Sequence, residues 1–387
     1  MFHLKPINVM GQTATAYRHM RMDMPEYETL KRLRSDAREI LSTALQAADP
    51  EAAVKRYVKV TGNELSIAPD FHVDLSVFRR VLVVGAGKGG APMVKALEDM
   101  LGDRIDGGII CVKYGHGVPL QRVRIVEAGH PVPDEAGQEA ARAIMGILES
   151  AGAEDLILSC ISGGGSALLP VPAQGITLED KARLTQRLLA CGADIHEINA
   201  VRKHLSAAKG GQLMQLAYPA LVLNLMLSDV VADDPDVIAS GPFSPDSSTF
   251  AMTIEVLKRY GLMGEIPSNV ARRLNEGAEG RIPDTPKKGD QIFDKVLNVI
   301  VSSNILCLRA ARSKAEELGY NALILSSGIQ GDTEEAALFH AASAHEIRAS
   351  GLPSQRRRDH CRVEGRRYGR PESAFCPFSG SGSIKDR

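Results

Sequence analysis

No segment of this 387-residue sequence approaches the ~18 consecutive apolar residues that a membrane-spanning helix requires. A dominant charge is missing too. With 46 basic and 47 acidic side chains the formal net charge is -1, which removes the electrostatic argument for nucleic acid or an anionic membrane as partner. The six cysteines (Cys111, Cys160, Cys191, Cys307, Cys361 and Cys376) include no C-x-x-C pair. Reduced, mostly buried thiols are therefore expected, not a disulfide framework or a zinc site. Before Met24 there is neither a continuous apolar core nor a cleavage site, so a secretory signal is not expected. The motifs G-x-x-x-x-G-K-[ST] and H-E-x-x-H are absent, and no Ser-His-Asp order stands out, so Walker-type, zincin and hydrolase readings lose support. A cytoplasmic protein without nucleic-acid or membrane partners is expected; a homodimer is compatible with the sequence.

What is present is an ordinary globular composition, 44% hydrophobic and 24% charged, in a chain long enough for two cores. Helical spacing runs from Tyr27 to about Val60. Strands then alternate with helices. VLVVGA (81–86), GGIICVK (107–113), RIVEAG (124–129), DLILSCIS (155–162) and ALVLNLMLSD (220–229) read as strands. Helices are expected over 91–100, 137–150, 177–190, 195–203 and 252–260. β-Branched runs alternating with helices specify an α/β fold, a mostly parallel sheet covered on both faces. An irregular, Pro- and Gly-rich stretch near 281–289 suggests a boundary. Beyond it a second, smaller α/β unit is expected from VLNVIVSSN (296–304), through a helix, to a strand at ALILSS (322–327) and a helix over 333–350. The expected divisions are an extension over 1–23, a Rossmann-like domain over 24–285, a partial C-terminal domain over 290–350 and a basic tail over 351–387.

Four stretches carry chemistry. In VVGAGKGG, Gly85, Gly87 and Gly90 follow a strand and fit G-x-G-x-x-G, a turn that lets backbone and helix N-terminus approach an anion. A dinucleotide site would also want an acidic residue ending the next strand, but GGIICVK ends at Lys113. Lys88 inside the turn suits phosphate oxygens instead. In ISGGGSALL, Gly163, Gly164, Gly165 and Ser166 close a strand with a potential nest of N–H groups. NAVRKHLSAAKGGQL brings Asn199, Arg202, Lys203, His204 and Lys209 close together, as a carboxylate or phosphate clamp or as a solvated basic face. SDVVADDPDVIASGPFSPDSSTF places Asp229 at a strand end, followed by Asp233, Asp234, Asp236, Ser240 and Asp246. Carboxylates so placed can hold Mg²⁺ while substrate phosphates complete its shell, or can simply cap turns.

Together with GHPVPDEAG, these runs resemble, in order over about residues 24–250, the glycerate 2-kinase family, whose members carry a so-called MOFRL C-terminal domain and are often labelled hydroxypyruvate reductase. The resemblance implies transfer of the ATP γ-phosphate to the 2-hydroxyl of D-glycerate, with Mg²⁺. It implies that Lys88 and Asp229 are catalytic, and that Asp229 and Asp233 hold the metal. It also implies that Gly85, Gly87, Gly163, Gly164, Gly165, Ser166, Asn199, Arg202, Lys203, Lys209, Ser240 and Asp246 contact substrate or nucleotide. Arg202 or Lys203 is expected to hold the glycerate carboxylate. The alternatives are an NAD(P)H-dependent hydroxypyruvate reductase and a catalytically impaired homologue. The family's Gly-Gly-Arg-Asn-Gln-Glu segment is not found; the sequence instead runs QRRRDHCRVEGRRYGRP, as a reading-frame change after Ser354 would produce.

Overall fold

The computed structural model describes residues 24–349; the expected extension over 1–23 and tail over 351–387 lie outside the described residues. Two units divide the chain. Residues 34–338 form one, and 24–33 with 339–349 belong to the other, as the outer ends of two helices.

Helix α1 (Met24–Ala47) and helix α2 (Pro50–Tyr57) replace the single helical run expected to Val60. Asp49 breaks it: its carboxylate accepts from the Ala52 N–H at 2.7 Å, and Pro50 takes the first position, where its missing N–H costs nothing. Strands β1 (Val58–Thr61), β2 (Glu64–Ile67) and β3 (Phe71–Asp74) then form a small antiparallel sheet that the sequence reading missed. The main sheet follows: β4 (Arg80–Ala86), α3 (Gly90–Leu101), β5 (Gly107–Lys113), β6 (Arg124–Ala128), α4 (Glu135–Glu149) and β7 (Asp155–Ile161). Next come α5 (Gly165–Leu168), α6 (Leu178–Ala190), α7 (Ile195–His204), α8 (Gln212–Ala217) and β8 (Leu221–Leu227). The chain continues through α9 (Phe250–Arg259), α10 (Ser268–Ala278), β9 (Val296–Ser302), α11 (Asn304–Glu317) and α12 (Thr333–Ala349). None of the described helices is long and apolar enough to cross a membrane.

The six main strands pair in parallel in the order β6-β5-β4-β7-β8-β9. Alternate residues of β4 feed opposite faces: Val81 and Val83 pack towards α3, Leu82 and Val84 towards α4. A third apolar cluster joins α6, α7, α9 and α10 through Leu184, Leu188, Val201, Leu257 and Leu274. At the start of β7 the buried Asp155 accepts from Arg79 and Arg80, which holds its carboxyl well below the usual range.

Two expectations need correction. The strand at 296–302 does not open a second sheet: β9 hydrogen-bonds to β8, from Val222 opposite Val296 to Leu227 opposite Ser302. The strand expected at 322–327 does not form. Leu323 and Leu325 are exposed, and among the described residues the stretch has no strand partner.

Because β5 and β6 extend to one side of β4, and β7 returns to the other, the order reverses between β4 and β7. Beyond the carboxyl ends of two such strands open α/β sheets form a crevice.

Candidate active site

The two loops at that reversal are stitched together. Lys88 N–H donates to the Gly163 carbonyl (2.9 Å), Gly89 N–H to Ser162 Oγ (2.9 Å), and Ser162 N–H to the Ala86 carbonyl (3.0 Å). Gly87 makes this contact possible: at φ +138° a Cβ there would stand 2.1 Å from Ser162 Oγ. Gly85 serves the sheet instead, since its missing side chain admits the Cys160 carbonyl of β7.

Above the second loop, the Asp229 carboxylate lies where a Gly163 side chain would be, with Oδ2 only 2.3 Å from that position. Gly164, at φ +87°, lies under the His130 ring and the Lys88 stem; its Cβ position is 2.8 Å from His130 Cδ2 and 3.5 Å from Lys88 Cε. So the ends of β4, β6, β7 and β8 bring Lys88, His130, the glycine turn and Asp229 together. Among the described residues, the side chains of Lys88, His130 and Asp229 form no hydrogen bond or ion pair, and the N–H groups of Gly163 and Gly164 have no acceptor. Burial, and then Lys88 and Lys113, lower the pKa of His130 against the pull of Asp229, which keeps its ring neutral at physiological pH.

The turn opens into a cavity of about 370 Å³ reached by His130, Gly164 and Ser166 on one side. Lys181 of α6, Arg202 of α7 and Lys209 line it as well, and no acidic residue does. Lys181 Nζ donates to the Pro170 and Val171 carbonyls (3.0 and 3.2 Å), and Lys209 Nζ to that of Ser166 (2.9 Å). Arg202 has no hydrogen-bond acceptor or ion-pair partner among the described residues. Burial first, and then the neighbouring cation Arg202, bring Lys181 down to about 7. The same burial, with Lys181 and Arg202, pushes Lys209 well below its ordinary value, and burial also lowers Arg202. Ser166 Oγ shares a 2.8 Å hydrogen bond with Ser240 Oγ, and Ser240 donates to Asn199 Oδ1 (3.0 Å); of the three only Ser166 lines the cavity, and the other two hold it from behind.

Several expected site residues lie elsewhere. Lys203 is buried and paired with Asp236 and Asp246, the latter at 3.0 Å. Burial opposes the charge of Asp246, but Lys203 and donors from Ser248 and Thr285 outweigh it and hold the carboxyl low. With its carboxylates already on it, Lys203 has no charge to offer a ligand, and Asp246 serves that pair. Nor does the His204 imidazole face the cavity: it packs edge-on to Phe250 and contacts Asp284 at 2.8 Å. Asp233 takes a left-handed φ of 54°, as do Ala232, Ala239 and Ser240 in the same loop. Among the described residues no three His, Cys, Asp or Glu side chains gather into a metal-binding group.

Sequence reasoning missed Lys181 and left His130 without a role. The GHPVP run marked His130 as part of a motif. Nothing marked Lys181, which reads as one more polar residue of an amphipathic helix.

Residues 36–275 match the family described as a domain of unknown function, DUF4147. A glycerate 2-kinase from Pyrococcus horikoshii is 36% identical over 322 residues, covering 82% of this chain and 71% of the relative. The human glycerate kinase is 38% identical over 338 residues, covering 83% and 63%, so the match spans less than two thirds of the human protein. A protein from Agrobacterium vitis, provisionally named a hydroxypyruvate reductase, is 40% identical over 316 residues, 82% of this chain and 66% of that one. The crystal structure of glycerate kinase from Thermotoga maritima matches with a TM-score of 0.71 at 35% identity, covering 84% of this chain and 72% of that one. By the matched domain and by these likenesses, the chain belongs to the glycerate kinase family.

Proposed function

We propose that this protein is a glycerate 2-kinase, transferring the ATP γ-phosphoryl group to the 2-hydroxyl of D-glycerate to give 2-phosphoglycerate and ADP. The observation that carries the reading is an unpaired lysine, Lys88, beside the unspent N–H groups of Gly163 and Gly164 at the sheet's switch point. Phosphoryl transfer asks for alignment and for neutralisation of charge on the transferred group, and these donors supply the second without reorganising. Lys88 would meet the equatorial oxygens, and the turn would cradle them.

Asp229 fits Mg²⁺ in the mode where one carboxylate and the substrate phosphates share the ion: it is exposed, unpaired and next to the turn. When bound, the ion would neutralise phosphate charge. His130, neutral and facing the same turn, offers a nitrogen to the substrate hydroxyl. The reductase reading has less support, because Lys113, and no carboxylate, ends β5 where a nicotinamide cofactor's ribose would be held.

A coupled assay tests the reading: D-glycerate, ATP and Mg²⁺ should give ADP and 2-phosphoglycerate. NADH or NADPH oxidation with hydroxypyruvate, without ADP formation in the first assay, would refute it.

A further inference from the structure

Accepting the kinase reading leaves open which substrate enters the cationic cavity. Sequence reasoning gave Arg202 or Lys203 to the glycerate carboxylate. The charge count argues otherwise.

We infer that the cavity walled by Lys181, Arg202 and Lys209 is the seat of the nucleotide, its phosphate chain lying on these three cations and its base against the cavity's apolar side chains. Three basic side chains share the space without one acidic residue to hold their protons, so an anion bound there is what would charge them. A single carboxylate can match only one of them when charged, whereas a phosphate chain brings enough negative charge for all three. The donors are also unspent. Arg202 uses none of its N–H groups on protein among the described residues, and Lys209 uses one of three.

Size points the same way. About 370 Å³ falls in the range of roughly 300–1,000 Å³ typical of sites for drug-sized ligands, while glycerate would fill only a corner of it. Apolar side chains line the cavity as well: Pro131 and Val132 from the loop after β6, and Leu178 and Leu189 of α6. Val132 and Leu189 are 62% and 57% exposed, a solvent-facing apolar pair at a cavity mouth that a flat base would cover. His130, Gly164 and Ser166 line the same cavity, and Lys88 Cε stands 3.5 Å from the Cβ position of Gly164, so a phosphate chain bound here would lie beside Lys88. Glycerate is then left to the Lys88–Asp229 end. Lys181, which no motif singled out, becomes a nucleotide-binding residue.

The test is calorimetric titration of the full chain with ADP, with the non-hydrolysable β,γ-methylene analogue of ATP, and with D-glycerate. Lys181→Met and Arg202→Met are compared with the wild type. Arg202 supports no other group by hydrogen bond, so its variant keeps its fold, which thermal unfolding checks. The expected result is nucleotide binding weakened about tenfold or more in each variant, the loss of one charged hydrogen bond or more, with glycerate affinity unchanged. Weakened glycerate binding with intact nucleotide binding would assign the cavity to the acid and overturn the inference. So would unchanged binding of both, or a wild type that binds no nucleotide. The kinase reading fails separately: nucleotide bound here without ADP formation from glycerate and ATP sinks that reading and leaves the inference standing.

Discussion

Replacing Lys181 by methionine tests the electrostatics of the cavity without any ligand. The lysine is 8% exposed, and its fall from an ordinary 10.5 to about 7 has burial as its main cause and Arg202 as a second. At ~1.4 kcal/mol per tenfold change, the fold disfavours the charged form by on the order of 5 kcal/mol. Against this stand two charge-assisted hydrogen bonds, to the Pro170 and Val171 carbonyls, worth about 1.5–2 kcal/mol each, at the low end for a charged donor because the Val171 carbonyl keeps the Ala207 N–H and Ser206 Oγ. Below pH 7, where the ammonium is charged in folded and unfolded chain alike, Lys181→Met should stabilise by about 1–2 kcal/mol. Between pH 7 and 10.5 the unfolded wild type binds a proton that the folded one does not, so wild-type stability rises with pH by up to ~1.4 kcal/mol per unit. The variant lacks that gain. Its advantage should vanish near pH 8 and reverse by pH 9. Urea unfolding of both proteins from pH 6 to 9 at constant ionic strength reads the difference directly. A difference that stays constant across this range would show that the fold does not feel the buried charge, and the cavity would lose its electrostatic rationale.

Other outcomes follow from the same geometry. Lys88→Ala should lower kcat by ~10²–10³ with an unchanged melting temperature, and near-normal turnover would remove Lys88 from the chemistry. In Gly163→Ala the new Cβ would stand 2.3 Å from Asp229 Oδ2, so the carboxylate must move. Turnover and Mg²⁺ dependence should suffer while the thermal transition stays near that of the wild type; a Mg²⁺ response identical to wild type would show that Asp229 is not the metal's carboxylate. Lys203→Met strands Asp246 in the interior and should destabilise by about 3–5 kcal/mol in urea unfolding, whereas a ligand-binding Lys203 would lose substrate affinity at unchanged stability.

The main strands were legible because each is a short β-branched run that must be covered on both faces. The small sheet over 58–74 was not. Its strands are four residues each and half charged or polar, so local pattern gives way to the antiparallel pairing that unites them. Likewise VLNVIVS announced a strand but not its neighbour; only the open edge of β8 decides that it completes the first sheet. Lys203 and Arg202 stand side by side in the sequence and look equivalent, yet the helix turns one into a buried triad with Asp236 and Asp246 and the other to the cavity.

The sequence by itself determined the parallel α/β plan, the glycine turns and the lysine within the first of them. These follow from local rules: strand period, backbone freedom at glycine and charge type. Tertiary structure decided which charges are spent and which are free. Lys203 meets its carboxylates across more than thirty residues of chain, while Lys181, Arg202 and Lys209 converge from separate segments on a space with no counter-charge. Whether a cation is compensated depends on what lies across the fold from it, and local sequence carries no record of that distance.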